Sequence, residues 1–280
     1  MKYLFKPVVL VRHAFIFMGA LVLLGSTTVS QVQAQAGSVA PTLDNRLPKV
    51  LVFVKTRGYH HNSIPAGVAA LAKLGTENGF EVDATEDSLD FSPGNLKRYS
   101  AVVFLSTTLN VLGDAEQRAF ESYIRAGGGY VGIHAASDTE FDWPWYGKLA
   151  GAWFQSHPKP QKAAIQVIDK KHPSTSFLPE RWERFDEWYN FKNINPDVKV
   201  LAKLDEKTYE GGNNGDNHPI AWYHDFEGGR AFYTGGGHTK ESYKEPLFLR
   251  HLLGGIQYAM GKEGSPGKAD GKEKKSKVKR

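Results

Sequence analysis

The run Gly127-Gly128-Gly129-Tyr130-Val131-Gly132-Ile133-His134-Ala135-Ala136-Ser137-Asp138 constrains this chain more than any other stretch. Glycines lead into a short apolar strand, and the strand ends on a histidine followed by two alanines. A sharp strand-to-helix turn tolerates little side-chain volume, so this is the pattern of a nucleophile elbow carrying imidazole where a nucleophile usually stands. The chain contains no cysteine, so it has neither a thiolate nucleophile nor a disulfide. His134 is therefore read as a site residue at a strand's C-terminal end.

Hydrophobic periodicity supplies the elements around it. Lys49–Lys55 is a continuous apolar strand of the kind buried on both faces. Asn62 and Ser63 can cap a helix whose stripe is Ile64, Val68, Leu71 and Leu74, closed by Gly79 before a second strand, Phe80–Thr85. Ala101–Ser106 is a third strand. Asp114 with Gln117 then reads as a capping box for a helix burying Phe120, Tyr123 and Ile124, and Tyr130–Ile133 is the fourth strand. Further strands are expected at Ala163–Ile168, Val198–Leu204, Ile220–Asp225 and Arg230–Thr234, ahead of a final helix, Pro246–Met260, that buries Leu249, Leu252, Leu253 and Ile256. Such alternation predicts one α/β domain, a three-layer sandwich with a mostly parallel central sheet that binds ligands beyond the strands' C-terminal ends.

Charge and composition separate the two ends from this body. Residues 1–36 carry Lys2, Lys6 and Arg12 ahead of the apolar run Ala14–Leu24, and Ala34-Gln35-Ala36 supplies a small-x-small cleavage pattern, so they read as a secretory leader. The apolar run is shorter than the ~20 residues that span a bilayer, which predicts a periplasmic or secreted protein with no stable membrane span. Residues 37–48 form a polar lead-in. Residues 262–280, rich in lysine and glycine, are expected to be a disordered basic tail. The formal charge of +5 belongs to these ends, leaving the body mildly acidic. Nucleic-acid binding, which needs a basic folded surface, gains no support.

Several further residues stand where chemistry is expected. Tyr59, His60 and His61 follow the first strand and run into a helix, and adjacent histidines cannot point the same way, so one of the two is a site residue. Asp138, four residues after His134, suits a base or an imidazole-orienting group. In Phe185-Asp186-Glu187-Trp188-Tyr189-Asn190-Phe191 two carboxylates sit among aromatics. Alternation would put Asp186 and Trp188 on one face and Glu187 and Tyr189 on the other, and the aromatic faces suit sugar rings. Gly235-Gly236-Gly237-His238 ends a strand, and its triple glycine would let backbone approach a ligand, making His238 a second site histidine. His157, His172, His224 and His251 lack such context and read as surface or packing residues.

Four blocks together resemble the ThuA-like (trehalose utilisation) family, a branch of the class I glutamine amidotransferase-like fold. They are Gly58-Tyr59-His60-His61-Asn62-Ser63-Ile64, Gly129-Tyr130-Val131-Gly132-Ile133-His134-Ala135-Ala136, Asp186-Glu187-Trp188-Tyr189, and Pro219-Ile220-Ala221-Trp222 with Gly235-Gly236-Gly237-His238. The resemblance spans Lys49–Gly261 and implies a flavodoxin-like sheet and a link to disaccharide catabolism, including sugars oxidised to keto forms by partner dehydrogenases. His134 occupies the amidotransferase nucleophile position, so glutaminase activity is not expected.

The functional expectation is a hydrolase, lyase or isomerase that removes a proton beside a carbonyl of a disaccharide or keto-glycoside. Catalysis falls to His134, His238, Glu187 and Asp138, with Glu187 or Asp138 as base. Substrate binding falls to His61, Tyr59, Trp188, Tyr189, Trp222 and Gly237. His61, His134 and His238 are also candidate ligands for a divalent metal, Zn²⁺ first, although they lack the short spacing of metal motifs. The alternative is a non-catalytic envelope protein that binds small carbohydrates on Trp143, Trp145, Trp188 and Trp222, or a partner of a secreted sugar dehydrogenase.

Overall fold

A computed structural model describes residues 47–262. The expected leader, most of the lead-in and nearly all of the basic tail lie outside these residues. The chain runs β1 (Lys49–Phe53), α1 (Ile64–Asn78), β2 (Glu81–Thr85), α2 (Pro93–Leu96), β3 (Ala101–Leu105), α3 (Asp114–Arg125), β4 (Gly129–Ile133) and α4 (Pro144–Ala150). It continues through β5 (Trp153–Ser156), β6 (Gln161–Val167), β7 (Arg181–Asp186), β8 (Asn190–Lys192), β9 (Lys199–Asp205), β10 (Pro219–Phe226), β11 (Gly229–Thr234) and α5 (Pro246–Ala259). Among the described residues, no helix is long and apolar enough to cross a membrane.

Nine strands form one sheet in the order β2-β1-β3-β4-β11-β10-β9-β6-β7, and β5 pairs with β8 in a small separate ribbon. The strands from β2 to β11 are mutually parallel, whereas β10, β9, β6 and β7 extend the sheet antiparallel. The parallel strands β1, β3 and β4 are apolar along almost their whole length because helices cover both faces. Phe104 turns toward Phe120 of α3 and Tyr146 of α4, while its neighbour Leu105 packs on Gly67 of α1. Consecutive residues thus feed opposite cores, as the two-residue repeat of a strand requires.

Some local expectations shift. The helix α3 is capped at Gly113, whose N–H donates to Glu116 at 3.1 Å, one residue earlier than the Asp114–Gln117 box. Gln117 instead donates to the buried Glu140 at 2.8 Å. The Phe185–Phe191 stretch is no single strand: β7 stops at Asp186, and β8 restarts at Asn190 in the other sheet.

Two core histidines give this fold a definite acid sensitivity. Burial pushes His251 down to about 3 and His172 down to about 4. An unfolded imidazole takes up its proton near pH 6.5, so the unfolded chain binds more protons than the native one below that pH. Stability is therefore full above pH 6.5 and falls as pH drops toward 4. At pH 5 the expected loss is about 2 kcal/mol per histidine, measurable as a lower urea midpoint at pH 5 than at pH 7.5. An unchanged midpoint would contradict this burial.

Candidate functional site

The loops leaving the C-terminal ends of β1, β4 and β11 converge, and each carries a histidine. His134 follows β4 with φ +52°, a left-handed conformation uncommon for a non-glycine residue, and it is fully buried. The elbow has no room to relax. Ala135 and Ala136 are completely enclosed, and a side chain at Gly132 would approach the Tyr130 hydroxyl to 2.6 Å. His134 Nδ1–H donates to the Gly235 carbonyl at 3.0 Å, which fixes the tautomer and leaves Nε2 facing inward.

That inward nitrogen meets three other groups. His61 Nε2 lies 3.1 Å away, His238 Nδ1 3.2 Å, and Glu187 Oε2 3.5 Å. His238 Nδ1 and Glu187 Oε2 are 3.0 Å apart. The four donor atoms all fall within 4.8 Å of one another, an arrangement able to hold a metal ion. His61 is the buried member of the histidine pair, and the exposed His60 turns back to Thr56.

Asp186 holds this arrangement from behind. Its carboxylate accepts from the N–H groups of Gly237 (2.9 Å), His238 (3.0 Å) and Glu187 (3.0 Å) and from the Ser242 hydroxyl (3.0 Å), and it pairs with Arg184 at 3.2 Å. A flat sheet would hold β7 roughly 19 Å from β11, four strand spacings away. The three residues from Thr234 to Gly237 span at most about 11 Å, so the antiparallel half must curl to bring Asp186 to this turn. On the other side, Ser63 donates its hydroxyl to the Gly237 carbonyl at 3.0 Å, tying the His61 loop to the His238 loop.

Electrostatics differ within the cluster. Burial, with His134 and His238 nearby, pushes His61 down to about 3 and keeps it neutral. Burial opposes charge on His238 as well, but the Glu187 carboxylate beside it outweighs that and holds it above its ordinary value. Burial alone would raise Glu187, yet the imidazoles of His134 and His238 beside it keep it well below the carboxylate range. Asp138 lacks such bonds, and burial pushes it up to about 6 against the opposing influence of His134, His157 and Lys192.

A pocket of about 410 Å³ opens over the cluster, within the size range of small-molecule sites. His61, Glu187 and His238 contribute to its floor, with Asp138, Tyr59, Tyr189, Phe154, His157 and Pro160 around them. The Tyr189 ring packs against His134 and against Phe154, tilted to each, with ring centres 4.3 Å away in both cases. A larger cleft, about 580 Å³, is lined by residues that include Trp153, Asn195, Asp197 and His224, but among the described residues no donor cluster converges on it. Chemistry rather than volume places the site.

Of the residues singled out in the sequence, His61, His134, His238, Glu187, Asp138, Tyr59 and Tyr189 come together here. Trp188, Trp222 and Gly237 do not act as expected. Both tryptophans are completely buried, their indole N–H groups donating to the carbonyls of Gln161 and Ala150, so neither face is available to a sugar. Trp143 and Trp145 stack on one another at 5.0 Å and do not line the pocket. Gly237 has both backbone polar groups engaged by Asp186 and Ser63. Its φ of +113° and the Tyr243 hydroxyl, 2.7 Å from where a Cβ would sit, explain the glycine without a ligand.

His157, taken from sequence as surface or packing, stands at the pocket mouth with Nδ1 3.1 Å from Glu187 Oε1. Asp186 was placed only by strand alternation. No local signal marks either residue, because both act on groups distant in the chain. His218 is a satisfied core histidine, bonded to Glu206 and to the Tyr189 carbonyl.

Residues 49–259 match the family model for ThuA, trehalose utilisation. A ThuA-like protein from Bacteroides uniformis shares 28% identity with a TM-score of 0.66, covering 80% of this chain and 95% of that one. A ThuA-like protein from Parabacteroides merdae shares 19% with a TM-score of 0.61, covering 78% of this chain and 91% of that one. A β-galactosidase from Bacillus circulans shares 15% with a TM-score of 0.51, covering 78% of this chain and 32% of the enzyme, a likeness of fold alone. No curated protein matches the sequence.

Proposed function

Because this chain belongs to the ThuA, or trehalose utilisation, family, we propose that it is an enzyme of carbohydrate catabolism that removes a proton beside the carbonyl of a disaccharide oxidised to its keto form. The observation that supports this most is the pairing of an ionisable carboxylate, Asp138, with a cluster of three imidazoles in one pocket. Abstraction of a carbon-bound proton needs a base near neutrality and positive charge where the enolate oxygen develops.

The two candidate bases are unequal. Glu187 is held ionised by its imidazole partners, and a carboxylate so stabilised has little tendency to accept a proton. Asp138, pushed up to about 6, is both ionised at pH 7 and basic enough to work. In the proposed step its carboxylate takes the proton from the carbon between the carbonyl and the glycosidic carbon, and the C–H electron pair moves onto the carbonyl oxygen. Collapse of that enolate expels the glycosidic oxygen, which leaves with a proton returned by Asp138. Transfer of a hydroxyl proton to the enolate oxygen, followed by return of the abstracted proton to the former carbonyl carbon, instead gives the isomeric ketone. The oxidised substrate has to come from a sugar dehydrogenase.

Since the base must be ionised, kcat/KM should rise with pH through about 6 and level off above 7, and Asp138→Asn should lose this limb together with roughly 10²- to 10⁴-fold of the rate. Assaying oxidised and unoxidised disaccharides side by side across pH 5–8 tests the proposal. Conversion of neither, with tight binding of both, would reject it in favour of a sugar-binding protein.

A further inference from the structure

We infer that His61, His134, His238 and Glu187 are the ligands of a divalent transition-metal ion, Zn²⁺ or a close relative, bound at the floor of the pocket. The inference rests on the proposed function for the use of the ion, and on the geometry alone for its binding.

The hydrogen-bond count is the first reason. His134 Nδ1 already donates to Gly235, so Nε2 offers either one lone pair or one proton, and either can serve only one partner. Yet three polar atoms crowd it at 3.1, 3.2 and 3.5 Å. Even with His61 bonded to His134 and His238 to Glu187, Nε2 of His134 still lies 3.2 and 3.5 Å from two further polar atoms with no proton available to join them. A cation between the four atoms satisfies all of them at once.

Distance is the second. Ligands at the Zn–N and Zn–O lengths of ~2.0–2.1 Å, set at tetrahedral corners, stand about 3.3 Å from one another. Four of the six separations, those at His134 Nε2 and that between His238 and Glu187, run from 3.0 to 3.5 Å and bracket that value, and the two from His61 to His238 and Glu187 lie within 4.8 Å.

The surroundings are the third. The Gly235 carbonyl holds the tautomer of His134 with its free nitrogen inward, Asp186 fixes the backbone of His238, and His157 holds the other Glu187 oxygen. Such outer contacts are the usual supports of metal ligands. His61 is the exception, its Nδ1 buried without a hydrogen-bond partner among the described residues. Three imidazoles and one carboxylate suit Zn²⁺, Co²⁺ or Mn²⁺ over Ca²⁺ or Mg²⁺, which prefer all-oxygen sets. A hydroxyl or carbonyl oxygen of a pocket ligand can then enter as a fifth donor.

The test uses the full chain, stripped with a chelator, dialysed against Zn²⁺ and measured by elemental analysis. About one Zn²⁺ per chain is expected, and Co²⁺ loading should give the intense visible bands of a four-coordinate site. His238→Ala and Glu187→Gln, with unchanged circular dichroism, should each weaken Zn²⁺ binding at least tenfold. His134→Asn is a second route should either variant fold poorly. Sub-stoichiometric Zn²⁺, Co²⁺ and Mn²⁺ in the wild type, or affinities unchanged in all three variants, would overturn the metal site. Full turnover of a keto-disaccharide by the stripped protein would leave the proposed reaction standing without it, whereas stoichiometric metal with no turnover would confirm the site and reject the reaction.

Discussion

Replacing His134 with asparagine is expected to lower keto-disaccharide turnover by about a thousandfold or more, while the protein remains folded. Asparagine is chosen for the backbone: at φ +52° most side chains are strained, and asparagine is among the few that enter the left-handed region readily. Its amide N–H can replace Nδ1 as the donor to Gly235, so the bond between the β4 elbow and the β11 turn survives. It cannot reproduce Nε2, the atom central to the cluster. Turnover within tenfold of wild type, with the melting temperature unchanged, would remove His134 from the chemistry.

The second large effect concerns a residue that touches no ligand. Asp186→Ala deletes the acceptor for three backbone N–H groups and a hydroxyl and removes the buried carboxylate that pairs with Arg184, leaving that guanidinium with the half-buried Glu245 and the Ser242 hydroxyl. Breaking a buried, hydrogen-bonded ion pair in this way costs about 3–5 kcal/mol, which for a domain of this size lowers the melting temperature by roughly 10 °C. The His238 backbone loses its anchor at the same time, so activity at a temperature where the variant is folded should also fall. A variant that melts lower but keeps wild-type kcat and KM would show that Asp186 supports the fold and not the site. Rescue is expected to be poor with Asp186→Asn, because an amide presents one acceptor oxygen where two are used.

Much of this arrangement was legible because glycine and position speak locally. His134 and His238 each end a strand behind crowded glycines, and both are at the site. The reason for the triple glycine differed, however: side chains of the protein itself, Ile220, Arg184 and Tyr243, press on Gly235, Gly236 and Gly237. His61, named from sequence in preference to His60, is the ring that turns inward, although a loop has no fixed alternation from which to derive it. Trp188 and Trp222 misled, as an aromatic side chain that fills a core reads the same as one that meets a ligand.

Residues acting across long separations left no trace. Asp186 lies 51 positions from Gly237, and His157 is 30 from Glu187, with only a curled sheet and a short ribbon between β5 and β8 to bring them near. The framework of β1 to β4 was readable from apolar runs buried on both faces. The small elements α4, β5 and β8 were not, because they are short and mix polar with apolar residues, so neither a buried run nor a period marks them.

Breaking of a carbon–hydrogen bond is common to cleavage and isomerisation alike, so it tests the central claim most directly. A keto-disaccharide incubated in D₂O should, by NMR, lose the proton signal of the carbon between its carbonyl and glycosidic carbons, by elimination or by exchange, with wild-type protein, and far more slowly with Asp138→Asn or His134→Asn. Loss of that signal no faster than in buffer, or equally fast with both variants, would contradict a reaction centre built from Asp138 and the imidazoles of His61, His134 and His238.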